Sequence, residues 1–290
     1  MTPPADLSPE LFGTLALVLG LVVGSFLNVV IHRLPRGESL VRPGSHCPHC
    51  DHPVAPWDNV PVLSYLWLRG RCRHCRGRIS WRYPAIELLT GVLFASVALR
   101  YGATALTPVL LAFTAALIAS AAIDFDHRII PDEISVGGLL LAVIVVPAVH
   151  AVAGAPLAGA MLRSGAGALL GAGLLWGVGF AHARVSTAMG RRFDHWPGEG
   201  EALPSPGSLD YWVWFPGVGF GDVKLLAMIG AVVGPVGVLE TIFAASLAGL
   251  VLGVSWALVT RRWSAPFGFG PAIAVGALVV IIIPHDPFSW

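Results

Sequence analysis

The chain has 290 residues, of which 55% are hydrophobic and 12% are Asp, Glu, Lys or Arg, with a formal net charge of +1. A soluble domain carries about 25% charged residues. A mean hydropathy of +0.74 excludes both a soluble globular protein and a disordered chain, and points to an all-α polytopic membrane protein.

The first apolar run, residues 11–31, is long enough to span a bilayer. It follows Asp6 and Glu10 with no Lys or Arg before it. It therefore lacks the basic n-region of a cleaved signal peptide and is expected to be a retained helix. It closes on Gly24-Ser25-Phe26-Leu27-Asn28-Val29-Val30-Ile31-His32-Arg33-Leu34-Pro35. Small residues there permit close helix packing, and Asn28 and His32 offer hydrogen bonds within a bundle.

Residues 32–83 form a polar domain containing all four cysteines, Cys47, Cys50, Cys72 and Cys75. Two CxxC pairs can each form a knuckle that donates two thiolates. Together they make a closed tetrahedral site suited to structural zinc. Two disulfides are the alternative, disfavoured in a reducing cytoplasm. Four protein ligands leave no open coordination position, so the expected metal is a staple for a domain too small to build much core. A nucleic-acid role for the arginines is not favoured, because the domain is tied to the membrane at both ends.

Further candidate spans lie at 84–99, 105–123, 134–152, 161–182, 222–234, 236–259 and 270–284, giving about eight transmembrane helices. Glu87 enters the second span just after Arg82 and is expected to pair with it. The third span ends in Ile123-Asp124-Phe125-Asp126-His127. Asp126, Asp132 and Glu133 lie in the loop that follows, where Asp126 is expected to give electrostatic support and Pro131-Asp132-Glu133 to start the next helix with Asp132 near its cap. His127 is expected to be a polar partner at the interface. Residues 183–221 form a polar loop with Trp196, Tyr211, Trp212, Trp214 and Phe215, and lead into Gly219-Phe220-Gly221-Asp222 at the start of another apolar run.

Topology follows from Lys and Arg. Residues 32–83 hold nine of the 18, and placing them in the cytoplasm leaves only Arg100 and Arg163 outside. Asp124 and Asp222 then both lie at cytoplasmic helix ends. A carboxylate at membrane depth is costly and marks function. Two such groups brought together share a proton, the ionised one activating water and the protonated one polarising a carbonyl. Helix capping is the bland alternative for Asp222.

GSFLNVVIHRLP at 24–35, CPHC at 47–50, PWDNVPVLSYLWLRGRCRHC at 56–75, RYPAIELLTG at 82–91, IDFDHRIIPDEI at 123–134, GFGDVKLLAMIGA at 219–231 and PFGFGPAIAVG at 266–276 together resemble the bifunctional type IV prepilin peptidases of bacteria. The resemblance implies an eight-span aspartic peptidase of the inner membrane with a GxGD motif. It implies Asp124 and Asp222 as the catalytic pair, and prepilins or pseudopilins with a leader peptide as substrates. It also implies N-methylation of the new N-terminus from S-adenosylmethionine. That activity belongs to the N-terminal half, with the zinc domain at 32–83 and the peptidase core at 84–290. Membrane lipid is the other expected partner, and nucleic acid is not one. A presenilin-like intramembrane protease and an ion- or proton-coupled transporter are the alternatives. The loop at 183–218 and the residues added to the PFGP pattern depart from the family.

Overall fold

The structure is a computed structural model and describes residues 8–191, 193, 204–213, 215–261 and 268–283. Asp6, Arg192, Trp196, Trp214, Arg262 and the start of PFGFGP at 266 lie outside the described residues. The chain divides into two compact units, Met1–His127 and Arg128–Trp290.

In the first unit, α1 (Pro9–Arg33) starts with Pro9 at its first turn and the Ser8 hydroxyl accepting from the Leu11 N–H at 3.3 Å. That cap satisfies one of the helix's orphan donors. A 3-10 turn, Leu34–Arg36, follows, and then the polar segment with short helix α2 (Leu63–Trp67). Helices α3 (Arg82–Tyr101) and α4 (Leu106–His127) complete the unit. Helices α1 and α3 touch backbone to backbone. A methyl group placed on Gly20 would lie 2.7 Å from the Thr90 carbonyl oxygen, and one on Gly24 would lie 2.7 Å from the Glu87 Cα. Asn28 fastens the other end of this contact by donating to the Tyr83 carbonyl at 3.1 Å.

The second unit holds α5 (Asp132–Val152), α6 (Leu157–Ala188), α7 (Leu209–Val213), α8 (Phe220–Thr260) and α9 (Gly270–Ile282). Helices α6 and α8 meet through glycine, Gly167 against the Gly230 carbonyl and Gly171 against the Leu226 carbonyl. The Ser164 hydroxyl donates to the Ala231 carbonyl at 2.8 Å in the buried seam. Inside α8, Gly234 takes φ 75° and ψ −179° just before Pro235. The helix breaks there, because proline cannot donate and only glycine reaches that φ without strain.

Among the described residues, six helices (α1, α3, α4, α5, α6 and α8) are long and apolar enough to cross a membrane, and α9 is a shorter apolar helix. Each expected span falls largely on a helix among the described residues, but six long helices and one short one do not establish the expected count of eight. The pieces expected at 222–234 and 236–259 belong to one 41-residue helix with a break. At about 1.5 Å per residue that is about 60 Å, twice a hydrocarbon core. Two expectations are corrected. The loop expected from residue 183 begins later, because α6 runs to Ala188. The loop expected to hold Asp126, Asp132 and Glu133 shrinks to 128–131: Asp126 lies in α4 and the other two in the first turn of α5.

Among the described residues, Tyr211, Trp212 and Phe215 cluster on α6 around Phe180. Phe180 stacks on Trp212 with centroids 5.3 Å apart, and the Trp176 indole donates to the Trp212 carbonyl at 2.8 Å. Arg184 lies over the Tyr211 ring, 3.6 Å from its centroid.

The glycine seams give a test. Gly230→Ala drives a methyl into the Gly167 backbone and is expected to lower stability by about 1–3 kcal/mol. Gly173→Ala, which meets nothing within 4 Å, is expected to be neutral or slightly stabilising. Thermal unfolding of the two variants in detergent compares them.

Candidate functional site

Each CxxC pair closes a turn of the same design. The Cys47 N–H donates to the His52 carbonyl and the Cys72 N–H to the Gly77 carbonyl, both at 2.9 Å. In return the Asp51 N–H reaches the Cys47 carbonyl at 2.9 Å and the Arg76 N–H the Cys72 carbonyl at 3.0 Å. Asp51 and Arg76 both take positive φ, 53° and 62°. Further backbone N–H groups point at sulfur, His49 at Cys47 Sγ and Gly77 at Cys75 Sγ, 3.5 and 3.4 Å away.

The four Sγ atoms lie within 4.8 Å of one another, and Cys47 Sγ is 3.8 Å from Cys75 Sγ. A tetrahedral ion with bonds of about 2.3 Å to sulfur needs sulfurs about 3.8 Å apart, so the cysteines fit a metal. Backbone N–H groups of Cys75 and His74 hold the Cys72 thiol down at about 7. The His52 N–H favours the Cys50 thiolate, but partial burial and the neighbouring Cys75, Cys47 and Cys72 thiols push it up to about 12. A divalent cation is what reconciles four thiolates in so small a space. Asp58 ties the preceding turn to the second knuckle, accepting from Arg73 Nε at 2.7 Å and Nη2 at 2.5 Å. The Arg73 hydrogen bonds hold the Asp58 carboxyl below the usual carboxylate range.

In the same unit, Asp124 sits in the last turn of α4 and is buried, with 5% of its surface exposed. Arg82, at the start of α3, grips that turn. It donates to the Ala122 carbonyl at 3.2 Å and pairs with Asp126 at 2.6 Å. A guanidinium at the C-terminal turn of a helix suits the helix dipole. Asp126 is thus the electrostatic support expected of it. The Arg82–Glu87 pair is not formed. Buried Glu87 instead accepts the Val62 N–H at 2.7 Å, because the polar segment folds back beside α3 and offers it a backbone donor.

In the second unit, Gly219 is the N-cap of α8, with no side-chain cap. Asp222 therefore lies inside the first turn, a position where the helix dipole favours a carboxylate. A methyl on Gly219 would lie 3.4 Å from Asp222 Oδ2, and one on Gly221 would lie 3.3 Å from Ile130 Cβ. The two glycines leave room for the carboxylate on one side and for the 128–131 turn on the other. Pro131 is the N-cap of α5 and Asp132 its first residue, so this segment starts the helix as expected, with Asp132 beside the cap. Asp132 pairs with Lys224, whose ammonium also lies 5.7 Å from the Phe220 ring centroid. That ion pair and the hold of Arg82 on α4 escaped the sequence. Their only signal there was a charged residue beside each helix end.

Removal of the metal gives a direct check. One metal ion per chain is expected by elemental analysis, and Cys→Ser at any of the four positions should abolish it. Protons compete for thiolates. Stability owed to the metal is therefore full at neutral pH and lost on acidification, with metal release and melting shifting together.

The bacterial peptidase A24 N-terminal domain model matches residues 18–101, and the type IV leader peptidase family model matches residues 111–254. The chain is 34% identical to a prepilin leader peptidase/N-methyltransferase of Stutzerimonas stutzeri, over 97% of this chain and 95% of that protein. It is 35% identical to the protein of the same name from Neisseria gonorrhoeae, over 92% and 88%. For that of Pseudomonas aeruginosa the figures are 34%, 94% and 91%. No solved structure matches the chain significantly. With similarity running through both halves, the chain is an enzyme of the type IV leader peptidase family and carries that family's bacterial N-terminal domain.

Proposed function

We propose that the chain cleaves the leader peptide from prepilins or pseudopilins at the cytoplasmic membrane face and then N-methylates the new N-terminus. What carries this reading is near-full-length similarity to proteins named for both activities, joined to two carboxylates at the loop ends of apolar helices. The arginine-rich segment 32–83 supports a cytoplasmic location for those ends.

Asp124 and Asp222 are the catalytic pair in this reading. One aspartate takes a proton from water, which attacks the scissile carbonyl, while the other donates a proton to the carbonyl oxygen. The tetrahedral species collapses, the C–N bond breaks, and the amine leaves with a proton from the first aspartate. No covalent intermediate forms. For the second reaction S-adenosylmethionine supplies the methyl group. The neutral N-terminal amine displaces it from the sulfonium, leaving a thioether, and the amine proton passes to solvent. Zinc on Cys47, Cys50, Cys72 and Cys75 is structural here and holds the two knuckles together.

Mass spectrometry of a leader-bearing pilin incubated with enzyme and S-adenosylmethionine tests the reading. Wild type should remove the leader and add about 14 Da to the mature N-terminus, the mass of a CH2 increment. Asp124→Asn and Asp222→Asn should stay folded and cut nothing, and cleavage by either would overturn the assignment. Arg82 is a positioning residue for Asp124. Arg82→Gln and Asp126→Asn are expected to lower kcat about tenfold with KM little changed, and Arg82→Lys to recover part of the loss. An unchanged kcat in both would show that the clamp is irrelevant to cleavage.

A further inference from the structure

The first unit contains a cavity of about 580 Å3 between α1 and the turns on either side of the first cysteine knuckle. Val22, Phe26 and Val29 form its wall on α1, Val41 and Val60 face them, and Arg33 closes one end. From Val22 to Arg33 is about 16 Å along a helix. The cavity therefore runs from membrane depth to the helix end, apolar for most of its length and cationic at one tip.

Arg33 is 8% exposed. Its guanidinium donates to the Ser39 carbonyl at 3.0 Å and the Gly44 carbonyl at 3.3 Å. Among the described residues no carboxylate pairs with it. A buried charge held only by neutral groups is expensive, and an anion in the cavity would relieve it through charge-assisted hydrogen bonds.

The apolar end is continuous with a surface that lipid must cover. Val22 and Phe26 are 55% and 51% exposed, in line with Leu15, Val18 and Leu19 on the same helix. Val41 and Val60, outside any span, are 80% and 41% exposed. The hydrogen bond from Val62 to Glu87, five residues into α3, places this part of the polar segment beside the span. A water-soluble anion would use the arginine and leave the valines bare.

We propose that the cavity holds an anionic phospholipid, its phosphate at Arg33 and an acyl chain along Val22, Phe26, Val29, Val41 and Val60. The lipid would join the four-cysteine segment to α1.

The test uses the full chain with its metal in nanodiscs of equal phosphatidylglycerol and phosphatidylcholine, released into the gas phase for native mass spectrometry. Wild type is expected to retain one phosphatidylglycerol with a preference of about tenfold, equivalent to about 1.4 kcal/mol. Arg33→Gln keeps a donor for the Ser39 and Gly44 carbonyls but removes the charge, and should lose the preference. Val60→Trp fills the cavity from its exposed wall, leaves Arg33 in place, and should lose the lipid. Both variants are scored only with the metal bound, and Val41→Trp replaces either one that loses it. Equal retention of the two lipids by wild type overturns the proposal, as does unchanged phosphatidylglycerol on the variants. Thermal stabilisation by inorganic phosphate equal to that by short-chain phosphatidylglycerol would reduce the site to a plain anion site and overturn the lipid assignment. Displacement of the lipid by S-adenosylmethionine would overturn it in favour of the methyl donor.

Discussion

Backbone-to-backbone contact through glycine is what the arrangement of the apolar helices depends on. Lipid tails are as apolar as leucine, so helices in a bilayer gain nothing from hiding apolar side chains from them. Dispersion between closely packed surfaces remains, and it needs small residues at the seam. In the second unit Gly171 meets the Leu226 carbonyl one turn beyond Asp222, and Gly230 meets Gly167 one turn further on. The carboxylate thus stands on the best-packed part of its helix. In the first unit the contact of Gly24 with Glu87 fixes α3 against α1, and α3 carries the arginine that holds the end of α4.

Charged side chains in both units make their contacts near helix ends. Arg82 serves the C-terminal turn of α4, and Asp132 with Lys224 joins the first turns of α5 and α8. Glu87 spends its carboxylate on the backbone N–H of Val62, which stands at the entry to α2 with φ 60°. Within each unit the result is a pinned helix end: that of α4 in the first, and those of α5 and α8 in the second.

Much of this was legible in the residues. The spacing of the cysteines implied the two knuckles, and the apolar runs located the helices to within a few residues. What escaped was pairing over distance. Glu87 lies close to Arg82 in sequence, and local reasoning joins them, yet their partners lie 25 and 44 residues away in Val62 and Asp126. Helix faces escaped for a different reason. In a soluble helix the buried face is apolar and the exposed face polar, so periodicity reveals it. Here Val233 is fully buried while Val236 is 61% exposed, and nothing in the residue type separates them. The docking of Trp212 on Phe180 escaped likewise, since aromatic stacking leaves no periodic mark.

The GFGD sequence separates into two kinds of requirement once its surroundings are known. Gly219 supplies the extended entry to α8 and space beside the carboxylate, and Gly221 supplies a flat surface for Ile130. Neither glycine stands at a positive φ, and a methyl on either would meet its neighbour at 3.3–3.4 Å, close to ordinary contact. Phe220 lies beside Lys224, whose charge is already engaged by Asp132. The motif therefore separates into parts with different physical duties: an extended entry, a packing surface, and a carboxylate in the first turn of an apolar helix, where the helix dipole favours it.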